Sequence, residues 1–387
     1  MKNKIFLMLN FVLLFALILT AVFPKTNAVV MASTIKNKEK ASIIIEFNSG
    51  EVVYEENADK RVQVASIVKL MTTLLTIEEL EKGNVKLTDK ITSSENAAGM
   101  GGSQVFIDPF VQYSVEEMLK SVIVASANDA AVALSEHIAG NEDAFVVKMN
   151  KRAKELGMTN TLYANSTGLP APEEYSTARD TALLLKEVIK HDIYHKYSTI
   201  WMDELVHPSG RKTEVVNTNK LTRYFKGCDS GKTGFTDEAG YCLVASAQRD
   251  GLRFIAVSLG APDSKTRFAN VTNLLSYAFA NFQNSLIVSK EDCLAEINVK
   301  MSKNNVAHIK AQDDFYALEK KGEKGKYEIT INAPKDLKAP LKQGEIVGQI
   351  IITKDGKVLK EITLITTENH DKLTFKDAFG EIAKNWN

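Results

Sequence analysis

The sequence predicts an α/β domain with an antiparallel sheet drawn from both ends of that domain, followed by a small all-β domain that reads as a sandwich. Three observations carry this. Strand-like runs occupy residues 41–57 and return from about 211, with helical periodicity between them. The apolar run Phe254–Leu259 suits a buried strand, and an amphipathic helix over Phe268–Phe282 closes the domain. Beyond Asn284 the texture becomes short alternating runs over 286–366, such as Tyr327, Ile329 and Ile331.

Taken in order, the chain opens on a targeting segment. Lys2 and Lys4 precede an uncharged apolar run from Ile5 to Phe23, and Thr26-Asn27-Ala28 offers a small-residue cleavage site. The run is nearly long enough to span a bilayer, so an uncleaved anchor is the alternative. Either reading places the rest of the chain outside the cytoplasmic membrane. Residues 41–57 form a hairpin around Asn48-Ser49-Gly50. A buried helix starts at Ser66, with Val68, Met71, Leu74, Leu75 and Ile77 inward. Ser114-Val115-Glu116-Glu117 is a capping box that starts a helix running towards Ser126. Further helices follow over Asp129–Ile138 and Glu142–Leu156. Residues 160–180 are irregular, and Thr181–Ile189 is helical again. In the second domain, Asp355-Gly356 between Gln349–Ile352 and Val358–Ile362 is a hairpin signal. Phe375, Phe379, Ile382 and Trp386 share one face of a tail helix, which reads equally as a membrane-interface helix or as a helix docked on the β domain. The expected boundaries are 1–28 for the leader, 29–283 and 284–370 for the two domains, and 371–387 for the tail.

At 387 residues, with 44% hydrophobic and 25% charged residues, the chain is ordinary for a two-domain globular protein. Lys+Arg and Asp+Glu balance at 48 each, which argues against nucleic-acid binding through general basicity. Losing residues 1–28 removes three lysines and no acids, so the net charge goes from 0 to −3. Cys228, Cys242 and Cys293 are not a disulfide framework. Cys228 and Cys242 flank one strand–turn–strand without standing opposite each other, and read as buried thiols.

The chemistry lies in an ordered set of short motifs: Ser66-x-x-Lys69, Ser126-x-Asn128 and Lys232-Thr233-Gly234. Ser-x-x-Lys also occurs at Ser33–Lys36 and Ser209–Lys212, and Ser-x-Asn at Ser94–Asn96 and Ser302–Asn304, so the signal is order and context. Ser33 lies beside the cleavage region and Ser209 in a turn; only Ser66 opens a buried helix. A serine hydroxyl needs a base. Lys69 lies one helical turn on, on the same face. It becomes a base if burial or a neighbouring cation lowers its pKa, and Lys232 is the candidate cation. Ser126 and Asn128 fall between two helices, where Ser126 is a candidate proton relay and Asn128 an amide that fixes Lys69 or the substrate; helix capping is the plainer role for either. Lys232 and Thr233, on a strand, can bind a carboxylate, and Gly234 permits a close backbone approach.

These motifs, with Ala65–Thr72, Gly101-Gly102-Ser103-Gln104, Ala125–Ala130, Tyr175–Asp180 and Gly231–Tyr241 around them, resemble the low-molecular-mass penicillin-binding proteins of the D-alanyl-D-alanine carboxypeptidase family. The resemblance spans nearly the whole chain, including the β domain and tail. It implies a transpeptidase/β-lactamase-like fold and a two-step acyl transfer without cofactor. Ser66 would attack the penultimate D-alanine carbonyl of a peptidoglycan stem pentapeptide, Lys69 would take the proton, and Ser126 would pass it to the leaving D-alanine. The N–H groups of Ser66 and Phe235 would form an oxyanion hole. Lys232, Thr233 and Arg267 would hold the terminal carboxylate, and β-lactams would acylate Ser66. Phe235 and Phe110 depart from residues common in relatives, histidine and glycine respectively.

Other signals point nowhere specific. His191 and His195 have a zinc-compatible spacing without a His-Glu-x-x-His pattern, so no metal is expected. Glu173-Glu174 follows Pro172, but lacks the Glu-x-x-Leu-Asn pattern of a β-lactamase loop glutamate. That ranks β-lactamase below carboxypeptidase. A D,D-endopeptidase and a non-catalytic cell-wall or β-lactam binder are the remaining rivals.

Overall fold

The computed structural model describes residues 38–375 and 377. The expected leader and all but a few residues of the expected tail helix lie outside the described residues. Strand β1 (Ala41–Glu46) is buried along its whole length, because its neighbours cover both edges and both faces. It pairs antiparallel with β2 (Val52–Glu56) through the expected hairpin, where Gly50 takes a φ of 74°. Helix α1 (Lys69–Glu81) follows a single tight turn at Ala65–Val68. The expected helix start at Ser66 thus resolves into a 3₁₀ turn and then the α-helix. Ala65, at a φ of 50°, turns the chain into it.

Strands β3 (Lys90–Thr92) and β4 (Gln112–Ser114) form a short ribbon. Helix α2 (Val115–Ala125) starts at the expected capping box: Ser114 Oγ accepts from Glu117 N, and Glu117 Oε2 accepts from Ser114 N at 2.7 Å. Helices α3 (Asn128–Ala139) and α4 (Glu142–Glu155) follow. Helix α5 (Ala178–Val188) begins three residues before its apolar periodicity suggests, because Thr177 Oγ1 caps it by accepting from Asp180 N. Helix α6 (Asp192–Ser198) and a ribbon of β5 (Met202–Val206) and β6 (Lys212–Val216) come next.

Strands β7 (Cys228–Thr236), β8 (Gly240–Arg249) and β9 (Leu252–Ala261) complete a five-stranded antiparallel sheet in the order β2-β1-β9-β8-β7. The first strand of the domain therefore lies against the last, with Ile43 opposite Val257. Helix α7 (Ser264–Asn281), capped by Asp263, packs on this sheet and starts four residues before the periodicity alone suggested. The core lies between the sheet and α1, α2, α3 and α5, and Leu70, Met71, Leu74, Val122 and Leu185 are fully enclosed in it.

The chain passes from α7 directly into β10 (Phe282–Val288). With β11 (Cys293–Lys300), β12 (Val306–Ala311), β13 (Phe315–Lys320), β14 (Tyr327–Asn332), β15 (Asp336–Lys338), β16 (Ile346–Lys354) and β17 (Lys357–Thr366) it makes the β domain. Six strands form one sheet in the order β14-β16-β17-β12-β11-β15, and β10 pairs with β13. Val288 and Phe315 of that pair pack on Ile309, Ile350 and Leu364 of the larger sheet, giving two layers of unequal size. Asp355 and Gly356, at φ of 52° and 74°, make the hairpin between β16 and β17. Cys228 stands opposite Ala247 and Cys242 opposite Gly234, and both thiols are free and buried.

Candidate active site

Three pieces of chain converge at the end of α1. Ser66 sits in the tight turn, and Lys69 is the first residue of the helix, so one turn separates them. Lys69 Nζ lies 2.9 Å from Ser66 Oγ and donates to Thr167 O at 2.6 Å. Ser126 is the residue that ends α2, in the left-handed conformation with a φ of 63°. That conformation is strained for a serine, and it turns the hydroxyl towards the sheet. Lys232 Nζ, from β7, donates to Ser126 Oγ at 2.6 Å and to Thr233 O at 2.9 Å. The site thus holds two serine–lysine pairs.

β7 is the edge strand of its sheet, paired only with β8. The turn that carries Ser66 packs against the face of β7 on which Gly234 lies. A Cβ built on Gly234 would stand 2.6 Å from Val64 O and 3.1 Å from Ser66 N, so only glycine allows this approach. The close contact is with the protein's own nucleophile turn. Phe235 follows, half exposed, its ring centroid 4.2 Å from that of Tyr241. Arg267, in the first turn of α7, donates from Nη1 to Gly234 O at 2.9 Å, and its buried Nε has no hydrogen-bond partner among the described residues. Thr233 is buried beside Lys232.

Asn128 is the first residue of α3, and the residue before it provides no side-chain cap. Its Nδ2 donates to Gly101 O at 2.6 Å, its backbone N–H donates to Ser103 O at 2.7 Å, and its buried Oδ1 has no hydrogen-bond partner among the described residues. No hydrogen bond joins it to Lys69 in this structure. The plainer capping role does not apply.

Lys69 is fully buried, and burial holds its pKa at about 7, far below a free lysine; the charges of Glu174 and Asp129 pull it back up. Of the two causes the sequence offered, burial or a neighbouring cation at Lys232, burial is the one that lowers Lys69. The ammonium of Lys69 is in turn a cause, after burial, that keeps the pKa of Lys232 well below that of a free lysine, with Arg267 adding to it. Two buried ammoniums this close favour states in which they are not both charged.

Several supports escaped the sequence. Asp129, fully buried, accepts from the N–H groups of Val105, Ile107 and Ala130, which hangs the 101–107 loop on α3. Its signal was one acidic residue in a helix first turn. Thr167 acts through a carbonyl, for which a sequence carries no signal. Gly168 has a φ of 75°, and a Cβ there would stand 2.0 Å from Ala65 O. Glu174, which with Glu173 fits no motif, is only 4% exposed. His191 Nδ1 lies 2.7 Å from Glu81, and His195 Nε2 3.0 Å from Ile189 O, so the two imidazoles make separate protein contacts.

Residues 27–263 match the family model described as D-alanyl-D-alanine carboxypeptidase. Residues 282–372 match that of the penicillin-binding protein 5 C-terminal domain. The chain is 39% identical over 344 residues to the D-alanyl-D-alanine carboxypeptidase DacF of Bacillus subtilis, covering 89% of this chain and 88% of the relative. It superposes on penicillin-binding protein 5 from Haemophilus influenzae with a TM-score of 0.69 and 31% identity, covering 87% of this chain and 98% of that one. Penicillin-binding protein D2 from Listeria monocytogenes, solved in an ampicillin-bound form, matches with a TM-score of 0.57 and 30% identity, covering 63% of this chain and 99% of its own.

Proposed function

The chain belongs to the D-alanyl-D-alanine carboxypeptidase family of serine peptidases, and we propose that it removes the terminal D-alanine from peptidoglycan stem pentapeptides through an acyl-enzyme on Ser66. The observation that carries this is the meeting of two serine–lysine pairs at the free edge of β7. An extended peptide can add to that edge by backbone hydrogen bonds.

The steps follow from the distances. In the fraction of molecules with Lys69 neutral, about half at pH 7, its lone pair takes the Ser66 proton across 2.9 Å as Oγ attacks the penultimate D-alanine carbonyl. The N–H groups of Ser66 and Phe235 stabilise the oxyanion; the contact of Gly234 with the nucleophile turn supports their convergence. The C–N bond breaks as Ser126, held by Lys232 at 2.6 Å, passes the proton taken up by Lys69 to the leaving amine, which leaves Lys69 neutral again for the hydrolytic step. Lys232, Thr233 and Arg267 hold the free carboxylate of the departing residue. Water then hydrolyses the ester on Ser66. A β-lactam presents the same carbonyl and carboxylate, acylates Ser66 and leaves slowly.

Incubation with a stem pentapeptide ending in D-Ala-D-Ala and, separately, with a cross-linked dimer tests the reading. Release of D-alanine from the pentapeptide is expected. Cleavage of the dimer alone would establish the endopeptidase instead, and acylation by penicillin without turnover of either would establish a binding protein.

The apolar stretch Ile5–Phe23 supports export, and the face formed by Phe375, Phe379, Ile382 and Trp386 supports docking on the outer surface of the cytoplasmic membrane. Removing residues 371–387 is expected to move the protein from the membrane to the soluble fraction. An unchanged distribution contradicts the docking.

A further inference from the structure

The loop from Thr161 to Tyr175 is closed at its base by pairing of Val62 with Ser176 and of Leu162 with Tyr175. Its middle lies on the nucleophile turn. Thr167 O accepts from Lys69, Ser166 O accepts from Thr72 Oγ1 at 2.7 Å, and Gly168 abuts Ala65. Inside this loop lies the carboxyl of Glu174, with Oε2 accepting from Ala164 N at 3.4 Å. Its neighbour Glu173 is exposed.

A buried carboxylate is costly unless its charge is answered. The backbone N–H groups of Ala164 and Asn165 both favour the carboxylate, but a glutamine oxygen would accept the same bonds, so they do not by themselves account for an acid. The cation whose charge reaches Glu174 is Lys69. Asp129 also acts on Lys69, but three backbone N–H groups already take up its charge. Lys232 faces the pair from β7 and Tyr163 from the loop itself.

We infer that Glu174 is a positioning residue of this active site: its buried carboxylate braces the loop that holds Lys69 and supplies the negative charge that offsets the ammonium formed when Lys69 takes the Ser66 proton. The inference rests on the acyl-transfer reading above. No proton leaves the Ser66–Lys69–Ser126 route; Glu174 acts on it through charge. Burial also pushes its carboxyl up to about 7, so Glu174 and Lys69 change charge over the same pH range.

The test is the second-order rate of acylation by a fluorescent penicillin from pH 5 to 9, with the labelled peptide mapped in each variant. Glu174→Gln keeps the shape and removes the charge. Lys69 then loses its proton at lower pH, so the ratio of the rate at pH 6 to that at pH 8 is expected to rise about threefold or more. Glu174→Asp, which keeps a carboxylate, and Glu173→Gln, which lies outside the loop interior, are expected to hold the wild-type ratio. A Gln variant whose rate falls by one factor at every pH, or does not change, overturns the inference. So does an Asp variant that behaves like Gln. A label mapped away from Ser66 overturns the acyl-transfer reading instead.

Discussion

At Lys69, complete enclosure in protein holds an amine near pH 7 and so suits it to the proposed role of base. This fixes a pH dependence. Below about 7 Lys69 is protonated and cannot accept the Ser66 proton, so acylation is expected to fall with pH, approaching tenfold per unit well below that point. An acid limb near that of a free lysine, about 10.4, contradicts the account. Ser66, Lys69, Ser126 and Lys232 were legible in the sequence because their types and order name a chemistry. Glu174, Asp129 and the Thr167 carbonyl were not, because their importance comes from burial and from backbone groups brought in by the fold.

Among the elements, helices with strong caps were readable to within a few residues. The capping box at Ser114 placed α2 directly, while α5 and α7 began earlier than their apolar periodicity because Thr177 and Asp263 cap them. The 160–176 segment offered only irregularity, yet it forms one wall of the site. Gly168 is its most sensitive point. Alanine there would meet Ala65 O and carry a positive φ, at a cost of about 2 kcal/mol or more. Gly168→Ala is expected to lower the melting temperature and to slow penicillin labelling together. Asp129→Ala would strand the N–H groups of Val105, Ile107 and Ala130, costing roughly 3 kcal/mol by loss of hydrogen bonds. Chemical denaturation measures this directly, and a change within experimental error contradicts the hanging of the 101–107 loop on Asp129.

Over the whole molecule, the proposed catalytic and binding residues all lie between Ser66 and Arg267, and the β domain contributes none of them. The change from helical to alternating texture near residue 284 made the second domain visible in the sequence, though its unequal layers and the parallel pairing of β15 with β11 depend on long-range contacts that no local pattern encodes. A chain of residues 38–281 is therefore expected to fold and to be acylated within about twofold of the full rate, since no group near the reacting atoms is removed. Loss of labelling in that fragment would assign the β domain a part in building the site. The most direct test of the central claim is the mass of the full chain after treatment with a β-lactam, followed by peptide mapping. One covalent adduct on Ser66, absent from Ser66→Ala at an unchanged melting temperature, is the predicted result; an adduct on Ser126 or another residue, or labelling that survives in Ser66→Ala, would contradict it.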